Sequence, residues 1–256
     1  MKSFCFTIDD NIKFFKEISA QKCSSIFMHP YLAMLKRLHE KYALKIQLNL
    51  FYRCDGFTLS DFDERYKSEW EENADWLKLS FHSEFENVRP YEFSEYEEVF
   101  YDCKRVNEEI LRFASNKSLA KTTTVHYCLL TEGGIRAMKK NGISGLLGLY
   151  GTKEKPESSY QSTELEGDMI RSGKTVKSGD ISYSAIDIVL NNYGEREILS
   201  RLNGLLGRDL IKVMIHEQYF YEDYTSYQPD FEKKLDATFK YLTKNGYKSI
   251  FFEDSL

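Results

Sequence analysis

Short apolar segments alternate with longer amphipathic segments along most of the chain, and this alternation constrains the fold more than any other feature. Strand-like patterns occur at 3–8, 44–51, 76–81, 121–127, 143–149, 210–215 and 247–252. Helical patterns occur at 31–43, 58–72, 94–114, 131–140, 194–206 and 230–245. Because alternating strands and helices are typical of parallel strands joined by helical crossovers, we predict an α/β fold. The expected architecture is a distorted β/α barrel of about seven parallel strands, in a single domain spanning 1–256.

One stretch, 151–184, interrupts this rhythm. It is rich in Gly, Ser and Lys and contains only short β-like runs, which predicts an inserted β-hairpin or flap. No glycine-rich loop follows the first strand pattern, and this excludes the usual dinucleotide and P-loop sites.

Composition narrows the function classes. The 256 residues include 35 Lys+Arg and 40 Asp+Glu, a net charge of −5, which argues against binding to a nucleic-acid backbone. No apolar run approaches the roughly 20 residues of a membrane span, and the N-terminal sequence lacks a secretory signal pattern. We therefore expect a cytoplasmic protein that does not bind membranes, and leave its oligomeric state open. None of the five cysteines lies in a C-x-x-C pair, so we expect reduced thiols and no thiolate zinc site.

Unusual polar residues follow several of the predicted strands. Asp9 and Asp10 end the first strand, His82 follows WLKLSF, His126 follows KTTTV, and His216 follows LIKVMI. In a β/α barrel, the carboxyl ends of the strands meet at one face, where functional groups collect. The sequence therefore predicts a site at this face.

These residues also carry a family resemblance. Thr7-Ile8-Asp9-Asp10 resembles the T-F-D-D motif of the polysaccharide deacetylase (NodB-homology) superfamily, and His82-Ser83-Glu84-Phe85-Glu86 resembles its H-S/T-x-x-H motif. Ile215-His216 is similar to the late L-x-I-H motif of that family. The resemblance implies a distorted seven-stranded barrel that binds a divalent metal and removes N- or O-acyl groups from sugars.

The predicted metal ligands are Asp10, His82 and Glu86. Glu86 stands where the family has a second histidine, and a carboxylate can still bind zinc there. We expect zinc first. Mn, Ni, Co, Fe and Mg are alternatives, because two oxygens and one nitrogen form a harder ligand set than the family's. Two structural explanations stay open: Asp9 and Asp10 could cap a following helix, and His82 with Glu86 could form a surface pair.

Three residues are predicted to act in catalysis. Adjacent residues of a strand point in opposite directions, so Asp9 can face the attacking water while its neighbour faces the metal. His216 is the predicted acid that protonates the leaving group. His126 takes the place of the family's arginine motif, and we predict that it stabilises the oxyanion or holds the substrate.

Four further residues are predicted to contact the substrate. Asp187 is the candidate for the family's D-x-x-D-W motif, and Glu217 follows the predicted acid directly. Tyr219 and Tyr224 belong to a tyrosine-rich segment whose flat rings suit sugar stacking.

The functional expectation is a metal-dependent hydrolase that removes an acetyl or other acyl group from a carbohydrate or a related amide, with a small molecule or oligosaccharide as its partner. Two alternatives stay open. One is a barrel that has lost turnover and binds a saccharide or protein; the other is a metal-independent glycosidase that uses two carboxylates.

Overall fold

The computed structural model describes residues 2–86, 91–151, 159–160 and 163–256. Across these residues it has eight α-helices: α1 (Lys13–Gln21), α2 (Pro30–Tyr42), α3 (Lys67–Glu72), α4 (Tyr96–Phe113), α5 (Glu132–Lys140), α6 (Glu164–Arg171), α7 (Glu195–Leu205) and α8 (Phe231–Lys244). The strands are β1 (Ser3–Asn11), β2 (Ile46–Phe51), β3 (Arg53–Cys54), β4 (Phe57–Thr58), β5 (Leu77–Ser83), β6 (Thr122–Thr123), β7 (Gly145–Gly148), β8 (Val176–Ser178), β9 (Ile181–Ala185), β10 (Ile188–Val189), β11 (Leu210–His216) and β12 (Lys248–Ser249).

Two sheets supply the parallel strands. The larger has the order β10-β11-β1-β2-β5, with β12 also paired to β1, and the smaller has the order β6-β7-β9-β8. They meet on one side through a parallel bridge between Leu79 and Leu119. On the other side the Asp187 N–H donates to the Lys212 carbonyl. The strands thus surround a common interior, which confirms the predicted α/β fold with the distorted barrel architecture.

Strand β1 shows how the sequence sorts its side chains between the two faces. Phe4 and Phe6 point outward, and their rings lie 5.6 and 4.7 Å from the ring of Phe239 in α8. Cys5, Thr7 and Asp9 alternate with the outward residues and therefore face the barrel interior. Every residue of β1 is buried, as expected for a central strand covered by helices.

The structure differs from the predicted elements in several places. Helices α1 and α6 were not predicted, and the pattern at 58–72 yields only α3, preceded by two 3₁₀ turns. Strand β6 has two residues, where 121–127 was expected to be strand, because the chain turns after Thr123. In the predicted insertion, β8 and β9 form an antiparallel hairpin, but β9 also pairs in parallel with β7. The rest of that prediction, 152–158 and 161–162, lies outside the described residues.

No helix among the described residues combines the length and apolar character needed to cross a bilayer. The five cysteines are unpaired in the structure, and four of them are buried.

Candidate metal centre

Two β-bulges shape the face where the predicted site residues meet. The register between β1 and β2 shifts between Ile8 and Asn11, and the register between β2 and β5 shifts between Leu50 and Phe51. Asp10 lies in the first bulge with φ of +64°, a left-handed conformation that non-glycine residues adopt mainly at special sites. A bulge re-aims side chains. Asp9 and Asp10 therefore both contact interior residues, and the expectation that they point in opposite directions is wrong.

Three potential ligand atoms come together at this face. Asp10 Oδ1 lies 3.0 Å from His82 Nε2 and 3.6 Å from His126 Nδ1. The two histidine nitrogens are 3.2 Å apart. Ligand atoms about 2.1 Å from one ion are separated by roughly 3.0 Å in octahedral geometry and roughly 3.4 Å in tetrahedral geometry. The Asp10, His82 and His126 side chains thus fit a single divalent cation.

Backbone carbonyls orient both imidazoles. His82 Nδ1 lies 2.5 Å from the Thr124 carbonyl oxygen, and His126 Nε2 lies 3.0 Å from that of Glu86. A carbonyl only accepts, so each of these nitrogens carries a hydrogen, and the opposite ring nitrogen of each histidine faces Asp10. Metal-binding histidines are typically held in this way.

Burial sets the charge state of the cluster. Burial, followed by the neighbouring His82, lowers the pKa of His126 to about 4, so this imidazole is neutral at pH 7. Burial also opposes charge on Asp10, but the His82 hydrogen bond and the nearby histidines outweigh it and lower the pKa of that carboxyl. Burial opposes charge on His82, but Asp9 and the hydrogen bond with Asp10 outweigh it and raise the pKa of this imidazole. Metals bind neutral imidazoles and ionised carboxylates, so a metal bound here would displace a proton from His82.

Asp9 lies beside the cluster and is held by a chain of amides. Asn49 Nδ2 donates to Asp9 Oδ1 over 2.7 Å, and Gln47 Nε2 donates to Asn49 Oδ1 over 2.7 Å. Thr122 Oγ1 continues the chain by donating to Gln47 Oε1. Burial raises the pKa of Asp9. A buried carboxylate that is more basic than usual suits a proton acceptor.

His216 stands opposite Asp9, its register partner in the neighbouring strand. Its Nδ1 lies 2.8 Å from Asn191 Oδ1, an acceptor, which leaves Nε2 as the nitrogen that can exchange a proton. His216 is not among the three clustered ligands. Asn49 and Asn191 were missed by the sequence analysis, although Gln47 and Asn49 alternate at the inward positions of IQLNLF and could have drawn attention.

Glu86 lies near the cluster but not within it. Its side chain is exposed, and its carboxylate lies 3.4 Å from the Gln218 amide nitrogen. It lines a cavity of about 660 Å³ next to Asp10, together with Phe51, Phe85 and Tyr224 among others. The place that the sequence analysis gave to Glu86 is taken in the described structure by His126.

Glu217, predicted to bind substrate, has a different set of partners. Its carboxylate accepts hydrogen bonds from the backbone N–H groups of Ile12, Lys13 and Phe14 at 2.7–3.1 Å, and from the Tyr221 hydroxyl at 2.6 Å. These N–H groups lie at the start of α1, so Glu217 caps this helix. The helix therefore does not need Asp9 or Asp10 as caps, and both stay available to the site.

Asp187, also predicted to bind substrate, lies elsewhere. Its side chain is 1% exposed, lies 3.0 Å from Lys212 Nζ, and also pairs with Arg208. Lys212 is in register with Cys5, four residues before Asp9, which places this pair about 13 Å down the strand. Asp187 is thus part of a buried ion pair at the other end of the barrel.

The two predicted tyrosines lie close to His216. The Tyr219 ring is 6.1 Å from the His216 ring and 5.2 Å from the Tyr224 ring, measured between centroids. Tyr224 contributes to the cavity wall. The segment after β11 therefore brings aromatic surface to the same face as the metal ligands.

Comparisons with known proteins show the fold. No family model matches the sequence, and no curated protein matches it. Among solved structures, the chain superposes on a 4-α-glucanotransferase from Thermococcus litoralis with a TM-score of 0.62 at 12% identity. That match covers 99% of this chain and 40% of the other, so the chain spans well under half of that protein.

Two metal-related or deacetylase structures match over most of both chains. A family 4 acetyl xylan esterase from Clostridium thermocellum, in complex with a cobalt ion, gives a TM-score of 0.55 at 11% identity, covering 99% of this chain and 89% of the other. A peptidoglycan N-acetylglucosamine deacetylase gives 0.53 at 10% identity, covering 98% and 86%. The class is therefore an α/β protein with a distorted barrel. More particularly, the chain shares the fold of these family 4 esterase and deacetylase structures, at 10–11% identity.

Proposed function

We propose that this protein is a metal-dependent hydrolase that removes an acetyl or other acyl group from a carbohydrate or related amide. The observation that carries the proposal is the Asp10, His82 and His126 cluster, with ligand atoms 3.0–3.6 Å apart and the buried carboxylate of Asp9 beside it. The shared fold with an acetyl xylan esterase and a peptidoglycan deacetylase supports this choice of chemistry.

The ligand set of the proposal is Asp10, His82 and His126, with Glu86 retained as the alternative third ligand. One oxygen and two imidazole nitrogens suit Zn, and also Mn, Fe, Co or Ni. A divalent ion bound there supplies Lewis-acid chemistry, since it acidifies a water molecule and polarises an acyl carbonyl.

The chain's own residues then handle the protons. Asp9 accepts the proton of the attacking water, and Asn49 keeps the Asp9 carboxylate oriented through their 2.7 Å hydrogen bond. His216 donates a proton from Nε2 to the leaving amine or alkoxide, while Asn191 holds its Nδ1. Phe85 and Tyr224, which line the cavity and are partly exposed, offer rings against which a sugar packs.

The test is elemental analysis of the purified protein beside Asp10→Ala, His82→Ala, His126→Ala and Glu86→Ala, followed by assays on acylated sugars. We expect about one divalent ion per chain in the wild type, loss of that ion in the first three variants, and its retention in Glu86→Ala. His39→Ala is the matched control, since this histidine stacks on Trp76 away from the cluster. Absence of metal after reconstitution with Zn, Mn, Ni and Co contradicts the proposal.

Two alternative functions are compatible with this fold, because a fold by itself does not determine a reaction. A glycosidase that uses two carboxylates keeps its activity in EDTA, whereas the proposed hydrolase loses it. A saccharide-binding barrel without turnover keeps its affinity in Asp9→Ala. The likeness to a glucanotransferase makes the EDTA experiment worthwhile.

A further inference from the structure

The loop that carries His126 receives little support from its own strand. The ladder between β6 and β7 contains two residue pairs and ends at Thr123 and Leu146. Beyond it the chain turns sharply, and Tyr127 and Cys128 both adopt left-handed backbone conformations, with φ of +60° and +59°. Such conformations are costly for non-glycine residues and persist only where surrounding contacts impose them.

Tyr160 supplies part of those contacts. Its hydroxyl accepts a hydrogen bond from the Val125 N–H over 3.2 Å and donates one to the Leu147 carbonyl over 2.7 Å. It thereby links the diverging ends of β6 and β7 just where their own ladder stops. The Tyr160 side chain is 2% exposed, and it also contacts the Cys128 thiol.

The backbone at the end of β7 packs closely against Tyr160. A Cβ on Gly148 would lie 2.9 Å from Tyr160 Cε2 and 2.7 Å from Ser159 Cβ, so only glycine admits this packing. Ser159 Oγ in turn donates to the Leu149 carbonyl over 2.6 Å. The end of β7 is thus shaped around residues 159 and 160.

We propose that Tyr160 is a positioning residue for the metal centre, because its hydroxyl fixes the 125–128 turn that presents His126 to Asp10 and His82. The inference rests on the proposed function and adds to it a residue that touches neither metal nor substrate. It acts through His126, whose Nδ1 lies 3.2 Å from His82 Nε2, a separation that lets the three ligands converge.

The first test measures the affinity for Zn²⁺ and Co²⁺ alone, by competition with a chelator. We expect Tyr160→Phe to bind each ion about tenfold more weakly, the lower end of the effect of losing an outer support of a metal ligand. Tyr66→Phe is the matched control, because the Tyr66 hydroxyl bonds the Cys23 carbonyl in another part of the fold. Equal weakening in Tyr160→Phe and Tyr66→Phe would indicate general destabilisation and overturn the proposal. An unchanged affinity in Tyr160→Phe would also overturn it.

A second test needs no metal and no activity. Nitrogen-15 NMR of the histidine rings at pH 7 reports which ring nitrogen carries hydrogen. We expect His126 to be protonated on Nε2 in the wild type and in Tyr66→Phe, and to show a mixture in Tyr160→Phe, because the contact with the Glu86 carbonyl loosens. If the wild type binds no metal, the proposed function fails, and this spectrum still decides whether Tyr160 positions His126. An unchanged His126 signal in Tyr160→Phe overturns the inference.

Discussion

The two ends of the barrel interior both contain buried aspartates, but they neutralise them differently. At the end opposite the candidate metal centre, the lower end, Asp187 pairs with Lys212 and Arg208. At the end that carries the candidate metal centre, the upper end, Asp10 has only His82 and His126 as ion-pair partners among the described residues, and Asp9 has none. Burying carboxylates without a fixed cation is costly. The upper end therefore has titratable imidazoles beside its carboxylates, which fits the proposed metal site, whereas the lower end contains its own fixed cations.

The largest expected effect concerns Asp9, at the upper end. Asp9→Asn keeps the shape and the Asn49 contact region but removes the proton acceptor, so we expect kcat on an acylated sugar to fall by about 10²- to 10⁴-fold. Metal content should stay at the wild-type value, since Asp9 is not one of the clustered ligands. Asp180→Asn, an exposed residue, serves as the control for purification and handling. A wild-type rate in Asp9→Asn would remove Asp9 from the mechanism.

Removing a cation from the Asp187 ion pair tests whether the lower end serves stability rather than metal binding. Lys212→Met leaves Asp187 buried with Arg208 as its remaining partner, and we expect the free energy of unfolding to fall by about 3 kcal/mol. Urea unfolding followed by circular dichroism measures this loss. The metal content of the folded variant should not change. Loss of metal in this variant would show that the two ends are coupled and would contradict their separation.

Glu217 is an intermediate case, since it is buried among neutral donors at the upper end. Burial raises its pKa from 4.5 to about 7, despite hydrogen bonds from Tyr221 and the start of α1. The folded state holds this proton more tightly than the unfolded state, so its contribution to stability is full below about pH 4.5 and decreases by roughly 3 kcal/mol as the pH rises to about 7.

Glu217→Gln should abolish that part of the pH dependence. Urea unfolding at pH 5 and pH 7.5 measures it in the wild type, in Glu217→Gln and in Glu232→Gln, whose side chain is 50% exposed. We expect the wild type and the Glu232 variant to lose stability toward pH 7.5 by similar amounts, and the Glu217 variant to lose less. The same slope in all three proteins would show that Glu217 does not titrate in this range.

The smallest expected effect concerns Gly148, at the end of β7 against which Tyr160 packs. Gly148→Ala places a methyl group 2.7 Å from Ser159 Cβ, and we expect a loss of about 1–3 kcal/mol in the free energy of unfolding. Gly204→Ala, which has no atom within 4 Å of the new methyl, should cause no loss. Thermal unfolding of both variants checks this, and equal midpoints would mean that the β7 end adjusts freely around Tyr160.

The long strands made part of the site predictable. β1, β5 and β11 have clear apolar patterns, and Asp10, His82 and His216 follow from the position of each strand end. His126 was recognised as a site residue but not as a candidate metal ligand, because β6 is too short for its pattern to show where the following turn points. The ion pair of Asp187 was not predictable from the sequence, since its partners Lys212 and Arg208 lie more than twenty residues away in sequence.

The sequence by itself determined the alternation of strands and helices, and with it the face at which the polar residues gather, because period and burial are local properties of the chain. Only the tertiary structure decided which of these residues share one site. Bulges turned Asp9 and Asp10 to the same side, Glu217 took over the capping of α1, and Tyr160 held the turn that carries His126. Each of these depends on contacts between distant segments, and no local pattern encodes the direction of a side chain across such a distance.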